Sequence, residues 1–407
     1  MTKKKRQLIF FWTYREWGGA QIYFIAIMKV AKPDWNIIVV LPRNSSPEIL
    51  GYLDQIGVRH EFIDVEIDTG PASTVKRKLT VHWRHISNHI TSYRFLRKYD
   101  LRASILHIET APWQSLMFLT ALSMRGANVF VTLHNALSNL PPWRVFLWKA
   151  KMQLASRLRK VHIFTSNKNA KDNFKGWVEP EFWQNIKITY TGVNPVEINE
   201  ALHDEFDRDA YRRTFNIGET RFVVLCVGQF IDRKGRWMFL DAAKIALREN
   251  PDLQFVWLTP KLPEQDEVER IAEYGLGDNF RLVLSSSVGS TRHEILRFFR
   301  IADVFTLPSF VEGLPIALLE AMAMGIPSIS TNINAIPEAI IDGQTGILIE
   351  AGDSDALAKR ILDLKSNLAL RQRLSANGRA YVIEHFDERE ASRIAIDAYK
   401  ECFADVD

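Results

Sequence analysis

The runs LIFFW, NIIVVL, ASILHI, NVFVTL, VHIFTS, FVVLCVG, LQFVWL, FRLVLS, DVFTLP and PSIST are of strand length and apolar without alternation. A strand facing water on one side alternates with a period of two; one that is apolar throughout needs cover on both faces. Most of these runs are separated by stretches long enough for a helix, such as 18–32 and 236–250. Strand and helix in alternation build parallel sheets with helices on both faces. The expected class is α/β and doubly wound.

At 407 residues the chain exceeds one ordinary domain. The alternation pauses over 191–217, where the sequence turns polar and mixed in charge, and a boundary is expected near Pro195. The halves 1–195 and 196–384 share a plan: each opens on a strand, a glycine turn and a helix. Two Rossmann-like domains facing a central cleft would bring both sets of strand carboxyl ends onto it, where open α/β sheets bind ligands. The stretch EHFDEREASRIAIDAYKECF reads as an amphipathic helix, and 385–407 is expected to pack back onto the first domain. Only Cys226 and Cys402 are present, which suits a reducing, cytoplasmic compartment. The start MTKKKRQLIFFW imitates a signal peptide, but Arg15 and Glu16 end its apolar stretch early, so a buried first strand is expected. No run has the 18 or so apolar residues of a spanning helix.

Chemistry concentrates after DVFTLP, in EGLPIALLEAMAMGIP from Glu312 to Pro327. Pro315 suits the first helical position, leaving the N–H groups of Ile316 and Ala317 free. A helix N-terminus of this kind attracts phosphate. Glu320 lies about a turn and a half further on, where it can accept hydrogen bonds from a diol, while Glu312 precedes the helix. Taken alone, two glutamates eight positions apart are better described as a capped helix with one exposed carboxylate. Two other segments favour the ligand. VGQFIDRKG follows a strand and supplies Lys234 ahead of Gly235, and WGGAQ supplies Gly18 and Gly19, which let a phosphate approach the backbone.

Together WGGAQ, VTLHN, TGVNP, VGQFIDRKG, PSFVEGLPIALLEAMAMGIPSIST and IIDGQTGIL, in this order from Trp17 to Leu348, resemble the family 4 retaining glycosyltransferases of the GT-B fold. The resemblance implies that Glu320 holds the ribose hydroxyls of a nucleotide-diphosphate sugar. It gives the transferred sugar to Glu312 and to the backbone of Gly313 and Leu314, next to Ile316. Lys234 would neutralise the diphosphate, with Gly18 and Gly19 assisting. His134, ending NVFVTLH, would contact the donor sugar. Glu312, Lys234 and His134 are the expected catalytic group.

The chain departs from the family pattern at Gln229, where an Arg is usual, and at TPKLPE (259–264), which replaces a glycine-rich turn. Lys234 is therefore expected to carry the diphosphate charge, with Arg233 pointing elsewhere, and the backbone near Val288 to lie beside the base. The Asp-x-Asp triplets at Asp207 and Asp353 read as a linker and a helix cap, and no His/Cys cluster has ligand spacing. No metal and no cofactor are expected. A nicotinamide dehydrogenase would need a GxGxxG turn after a strand, which is missing. A non-catalytic nucleotide-sugar-binding protein of the same fold stays open.

Charge divides the chain. Residues 1–195 carry 28 Lys or Arg against 13 Asp or Glu, and 69–171 carry 17 against only Asp100 and Glu109. From Val75 to Tyr99 there is no acid, and 141–160 adds Trp143, Trp148 and six cations. Cations interleaved with Trp suit an anionic membrane surface, hence peripheral attachment at its inner face, although a merely solvated basic face has the same signature. A nucleic-acid groove shares the charge but no recognised module accompanies it. The expected partners are a nucleotide sugar, a glycan or lipid-linked acceptor and the membrane surface. Sugar, base and linkage are not legible.

Overall fold

The computed structural model describes residues 5–13, 15, 18–66, 75–137 and 140–404. Glu16, Trp17 of WGGAQ and the side chains of Lys76 and Lys78 lie outside them. The chain divides into two compact units, Met1–Tyr190 with Glu388–Asp407, and Thr191–Asp387. The crossing falls ahead of Pro195, which opens the helix Pro195–His203. Val193 donates its N–H to Phe386 O at 2.9 Å, so the outgoing and returning segments are joined by a hydrogen bond.

The first unit holds strands β1 (Arg6–Phe11), β2 (Trp35–Pro42), β3 (Arg59–Ile63), β4 (Ser104–Ile108), β5 (Asn128–Leu133), β6 (Val161–Thr165) and β7 (Lys187–Ile188). They lie in the order β3-β2-β1-β4-β5-β6-β7, with every pair parallel. Alternation along β1 explains its continuous apolarity. Leu8 and Phe10 pack under the helix Gly19–Ala31 and the C-terminal helix Glu388–Glu401, while Ile9 and Phe11 enter the core on the opposite face. The C-terminal helix is also fixed by a buried polar chain. Tyr399 OH lies 2.5 Å from His107 Nδ1, and His107 Nε2 lies 2.8 Å from Thr132 Oγ1.

The second unit holds β8 (Phe222–Val227), β9 (Leu253–Thr259), β10 (Phe280–Leu284), β11 (Val304–Leu307), β12 (Ser328–Thr331) and β13 (Ile347–Ile349), ordered β10-β9-β8-β11-β12-β13 and all parallel. In each sheet the order reverses beside the first strand, between β1 and β4 and between β8 and β11. Open α/β sheets bind ligands at such a reversal, beyond the carboxyl ends of the strands.

Candidate functional site

In the second unit the loops after β8 and β11 are stitched together. The turn after β8 ends at Gly235, with φ of 76°, and a Cβ there would meet Pro308 O at 1.8 Å. Only glycine permits this approach. Phe310 N–H donates to Arg233 O at 2.8 Å, which completes the stitch. Lys234 is thereby aimed at the β11 loop, where its Nζ lies 2.6 Å from Glu312 Oε1. Ser309 Oγ donates to the same oxygen at 2.7 Å, and Glu312 N–H donates to Asn334 Oδ1 at 3.2 Å. Glu312 is buried, so this ion pair is largely desolvated.

Arg233 does not point elsewhere. Its Nη1 donates to Val311 O at 3.0 Å and sits 3.6 Å from Glu312 Oε2. The stitch explains the difference: anchoring the Arg233 carbonyl to Phe310 leaves its side chain running along the same loop. Lys234 therefore has a second cation beside it. Gln229 follows Gly228 at the end of β8 and is itself partnered.

The helix Ile316–Ala323 begins one residue later than expected, with Pro315 as its extended cap. Gly313 and Leu314 form the bend before it. Its first intrahelical donor is Leu318 N–H, to Pro315 O at 3.1 Å, so the N–H groups of Ile316 and Ala317 precede the ladder. Glu320, on the same helix, is buried, and its Oε1 lies 2.6 Å from Arg292 Nη2. The geometry is ionic contact rather than an aligned hydrogen bond, since Oε1 has no hydrogen-bond partner among the described residues. Burial raises the Glu320 carboxyl above its ordinary range, Arg292 opposes the rise and Glu197 adds to it. Arg292 escaped the sequence reading. Its signal was present in TRHE, a capping box in which Thr291 and Glu294 start the helix Arg292–Phe299 and set Arg292 at its first position. Val288 lies in the single turn Ser285–Val288 after β10, ahead of that helix.

Asp207 caps the helix Arg208–Thr214 and Asp353 the helix Ser354–Ser366, so both Asp-x-Asp triplets are accounted for by capping. Among the described residues no group of three or more His, Cys, Asp or Glu is placed to hold a metal ion.

The remaining candidates lie at the strand ends of the first unit. Gly18 is the extended cap of the helix Gly19–Ala31, and a Cβ on it would meet only Gln21 Oε1 at 3.3 Å. His134, just past β5, has the Tyr23 ring of that helix edge-on at 5.2 Å. Its backbone carbonyl accepts from Asn167 Nδ2 at 2.8 Å, and its Nε2 is buried without a partner among the described residues. Burial lowers its pKa to about 4, so the ring is neutral. The reversal point of this sheet also carries Glu109, which the sequence reading counted only as a charge. Its N–H extends the β4 ladder to Phe11 O at 3.0 Å. The side chain is partly exposed, yet Oε2 is sealed without a partner among the described residues, and burial pushes its pKa up to about 8.

The structure thus joins Lys234 and Glu312 directly and sets Gly313, Leu314, Ile316 and Glu320 along one bend and helix. Gly18, Gly19 and His134 gather separately in the first unit.

The sequence profile described as Glycosyl transferases group 1 matches residues 207–381. Over 216 residues the chain is 30% identical to the amylovoran biosynthesis glycosyltransferase AmsK of Erwinia amylovora, covering 52% of this chain and 49% of that protein. Over 201 residues it is 27% identical to the GDP-mannose-dependent alpha-(1-6)-phosphatidylinositol monomannoside mannosyltransferase of Mycolicibacterium smegmatis, covering 48% and 51% respectively. The chain therefore spans about half the length of the curated relatives it matches. Among solved structures, Anabaena HepE in complex with UDP-glucose shares the fold, with a TM-score of 0.75 at 18% identity over 97% of this chain and 100% of that one. The match to the group 1 glycosyl transferases thus lies within the second unit, and the chain as a whole shares the GT-B fold of its structural neighbours.

Proposed function

We propose that this protein transfers a sugar, with retention of anomeric configuration, from a nucleotide-diphosphate sugar to a hydroxyl of a lipid-linked or cell-envelope glycan. The observation that carries the reading is the buried Lys234–Glu312 pair at the strand reversal of the second unit, beside the open N-terminus of the helix Ile316–Ala323. A diphosphate there meets Lys234, Arg233 and the amides of Ile316 and Ala317, a set of donors that balances its charge without a metal. Glu312 holds the transferred sugar, Glu320 the ribose, and neutral His134 contacts the sugar without adding charge. As the bond between the anomeric carbon and the phosphate oxygen breaks, the electron pair leaves with the phosphate, which helps take the proton of the acceptor hydroxyl. The acceptor oxygen bonds the anomeric carbon on the face the phosphate vacates.

The names of the relatives support such an acceptor, one being named for amylovoran biosynthesis and the other for a phosphatidylinositol monomannoside. They also leave the base open, since one relative is named for GDP-mannose and HepE is seen with UDP-glucose. The acid-free basic segments of the first unit suit an anionic membrane surface, where such acceptors reside.

The test is thermal shift with UDP, GDP and their sugars, with and without EDTA, followed by assay of nucleoside diphosphate release. A nucleotide at 100 times its dissociation constant should stabilise the fold by about 2.7 kcal/mol. Release that persists in EDTA is the expected result. Binding without any release would make the chain a nucleotide-sugar binder, and no stabilisation by any nucleotide would overturn the reading.

A further inference from the structure

Arg292 opens the helix Arg292–Phe299, at the end where a helix repels cations and favours carboxylates. Helix formation therefore does not explain an arginine there. Two carboxylates do. Its Nη2 lies 2.6 Å from Glu320 Oε1 and its Nε 3.3 Å from Glu197 Oε2, so one guanidinium is shared between the helices Ile316–Ala323 and Pro195–His203. The Arg292 side chain is 12% exposed, that of Glu320 6% and that of Glu197 25%. All three residues lie in the second unit.

Two carboxylates around one cation leave a net negative charge, which burial penalises. The Glu320 carboxyl is accordingly held above its ordinary range: burial raises it, Arg292 draws it down and Glu197 pushes it up. Without Arg292, taking up a proton would be the remaining way to neutralise Glu320. That matters to a diol. An ionised carboxylate only accepts and can take a hydrogen bond from each of two neighbouring hydroxyls, whereas a protonated one gives up both its charge and part of that capacity. Among the described residues, the other charged groups on the elements packed here face elsewhere. β11 and β12 carry none, Glu200 and His203 are exposed, and Glu294 caps its own helix. His293 and Arg297 turn to Asp204, at 2.5 Å and 3.7 Å, and Arg379 of the helix Leu368–His385 reaches Ala323 O at 2.5 Å.

We infer that Arg292 is a positioning residue for the nucleotide: it fixes the buried Glu320 carboxylate for the ribose diol, and Glu197 weakens that hold by sharing the same guanidinium. This role rests on the reading that Glu320 holds the ribose. It gives Arg292 and Glu197 opposite influences on one carboxylate, which an ion cluster serving only the fold would not transmit to a ligand.

The experiment is calorimetric titration of the full chain with UDP and with GDP between about pH 5.5 and 8.5, on the wild type, Arg292→Met, Arg292→Lys, Glu197→Gln and Glu320→Gln. Each affinity is read as a ratio to the wild type at the same pH, so ionisation of the ligand's own phosphate cancels. Ionised Glu320 is the binding form, and affinity falls as pH falls through its pKa. Arg292→Met removes the influence that lowers this pKa. It should weaken the nucleotide about tenfold near pH 6.5 and recover most of that loss by about pH 8.5, since one pKa unit is a tenfold change. Glu197→Gln removes an influence that raises it, and should retain affinity to lower pH than the wild type. Arg292→Lys keeps the charge without the fork and should fall between the wild type and Arg292→Met. On a Glu320→Gln background, Arg292→Met should lose its pH dependence, because the titrating carboxyl is gone.

The role is overturned if Arg292→Met tracks the wild type, if it weakens the nucleotide equally at every pH, or if Glu197→Gln shifts the profile in the same direction. Should circular dichroism show Arg292→Met unfolded, Arg292→Lys and Glu197→Gln decide the matter by the same opposite shifts. Glu320→Gln separates the two failures. Unchanged nucleotide affinity in it would overturn the ribose reading and this role with it; weakened affinity beside a flat Arg292→Met profile would overturn the role of Arg292 alone.

Discussion

The two sheets reverse strand order in the same way but treat charge at the reversal oppositely. In the second unit both carboxylates face cations, Glu312 with Lys234 and Glu320 with Arg292, each at 2.6 Å. In the first unit Glu109 at the reversal, and His134 past the neighbouring strand β5, have no such partner among the described residues: burial pushes one up to about 8 and the other down to about 4, so near neutral pH both are uncharged. A site that receives a diphosphate needs cations held in place beforehand, and carboxylates keep them from repelling one another until the anion arrives. A strand end that handles uncharged hydroxyls gains nothing from fixed charge and avoids its desolvation cost. On our reading, the contrast marks the second unit as the one built to take a charged leaving group.

The largest test removes the central cation. Lys234→Ala should lower turnover by at least about a hundredfold, the scale of losing one preorganised donor to a developing anion. Arg233→Ala should cost less, because Arg233 reaches only the far oxygen of Glu312, at 3.6 Å. Steady-state kinetics on the two single variants and the double, read as a cycle, measures their coupling. A loss below threefold for Lys234→Ala would move the phosphates away from this pair.

Next in size is the second carboxylate. Glu320→Ala should weaken nucleoside diphosphate binding by about 1.5–3 kcal/mol, the range for hydrogen bonds to charged groups. Glu312→Ala should leave nucleotide affinity nearly intact and abolish turnover. Equal weakening of the nucleotide by both, measured by calorimetry, would merge the roles assigned to them.

The strands that the sequence disclosed were the interior ones and one edge strand, β10, whose apolar runs are uninterrupted. The unannounced strands β3, β7 and β13 all lie at sheet edges. There β3 reads RHEFI, half polar because one side of the strand meets no neighbour, and β7 has only two residues. The site divides similarly. Lys234, Gly235, Glu312 and Glu320 are legible because local chemistry, a glycine turn and a helix start, sets them. Arg292, Arg233 and Glu109 act through what lies across the sheet from them, and spacing along the chain carries no record of that. The tie between Tyr399 and His107, 292 positions apart, is the extreme case.

That tie supports a stability prediction confined to the first unit. Tyr399→Phe removes the hydroxyl facing His107 Nδ1 and leaves a fully buried ring nitrogen unsatisfied. The expected cost is about 1–3 kcal/mol, read as a lower urea midpoint with unchanged slope. A change under about 0.5 kcal/mol would mean that the C-terminal helix is held by its apolar contacts alone, Ile396 and Phe403 among them.

The smallest effect concerns Glu109, and its sign follows from the direction of the shift. The folded protein holds this carboxyl's proton up to about pH 8, whereas an ordinary glutamate releases it near 4.5. Below that lower value both states are protonated and burial of Glu109 carries no ionisation penalty. As pH rises through the window the unfolded chain gives up the proton while the folded one keeps it, so folding stability falls with pH until about 8. Part of the side chain stays exposed, and water there screens the charged form, so the loss between pH 6 and 8 should reach only roughly 1 kcal/mol. Glu109→Gln keeps the shape and cannot ionise. Urea denaturation of both proteins across that range should show the wild type losing stability relative to the variant as pH rises. Parallel curves would mean that Glu109 is charged in the folded protein, and the electrostatic contrast between the two reversal points would fall.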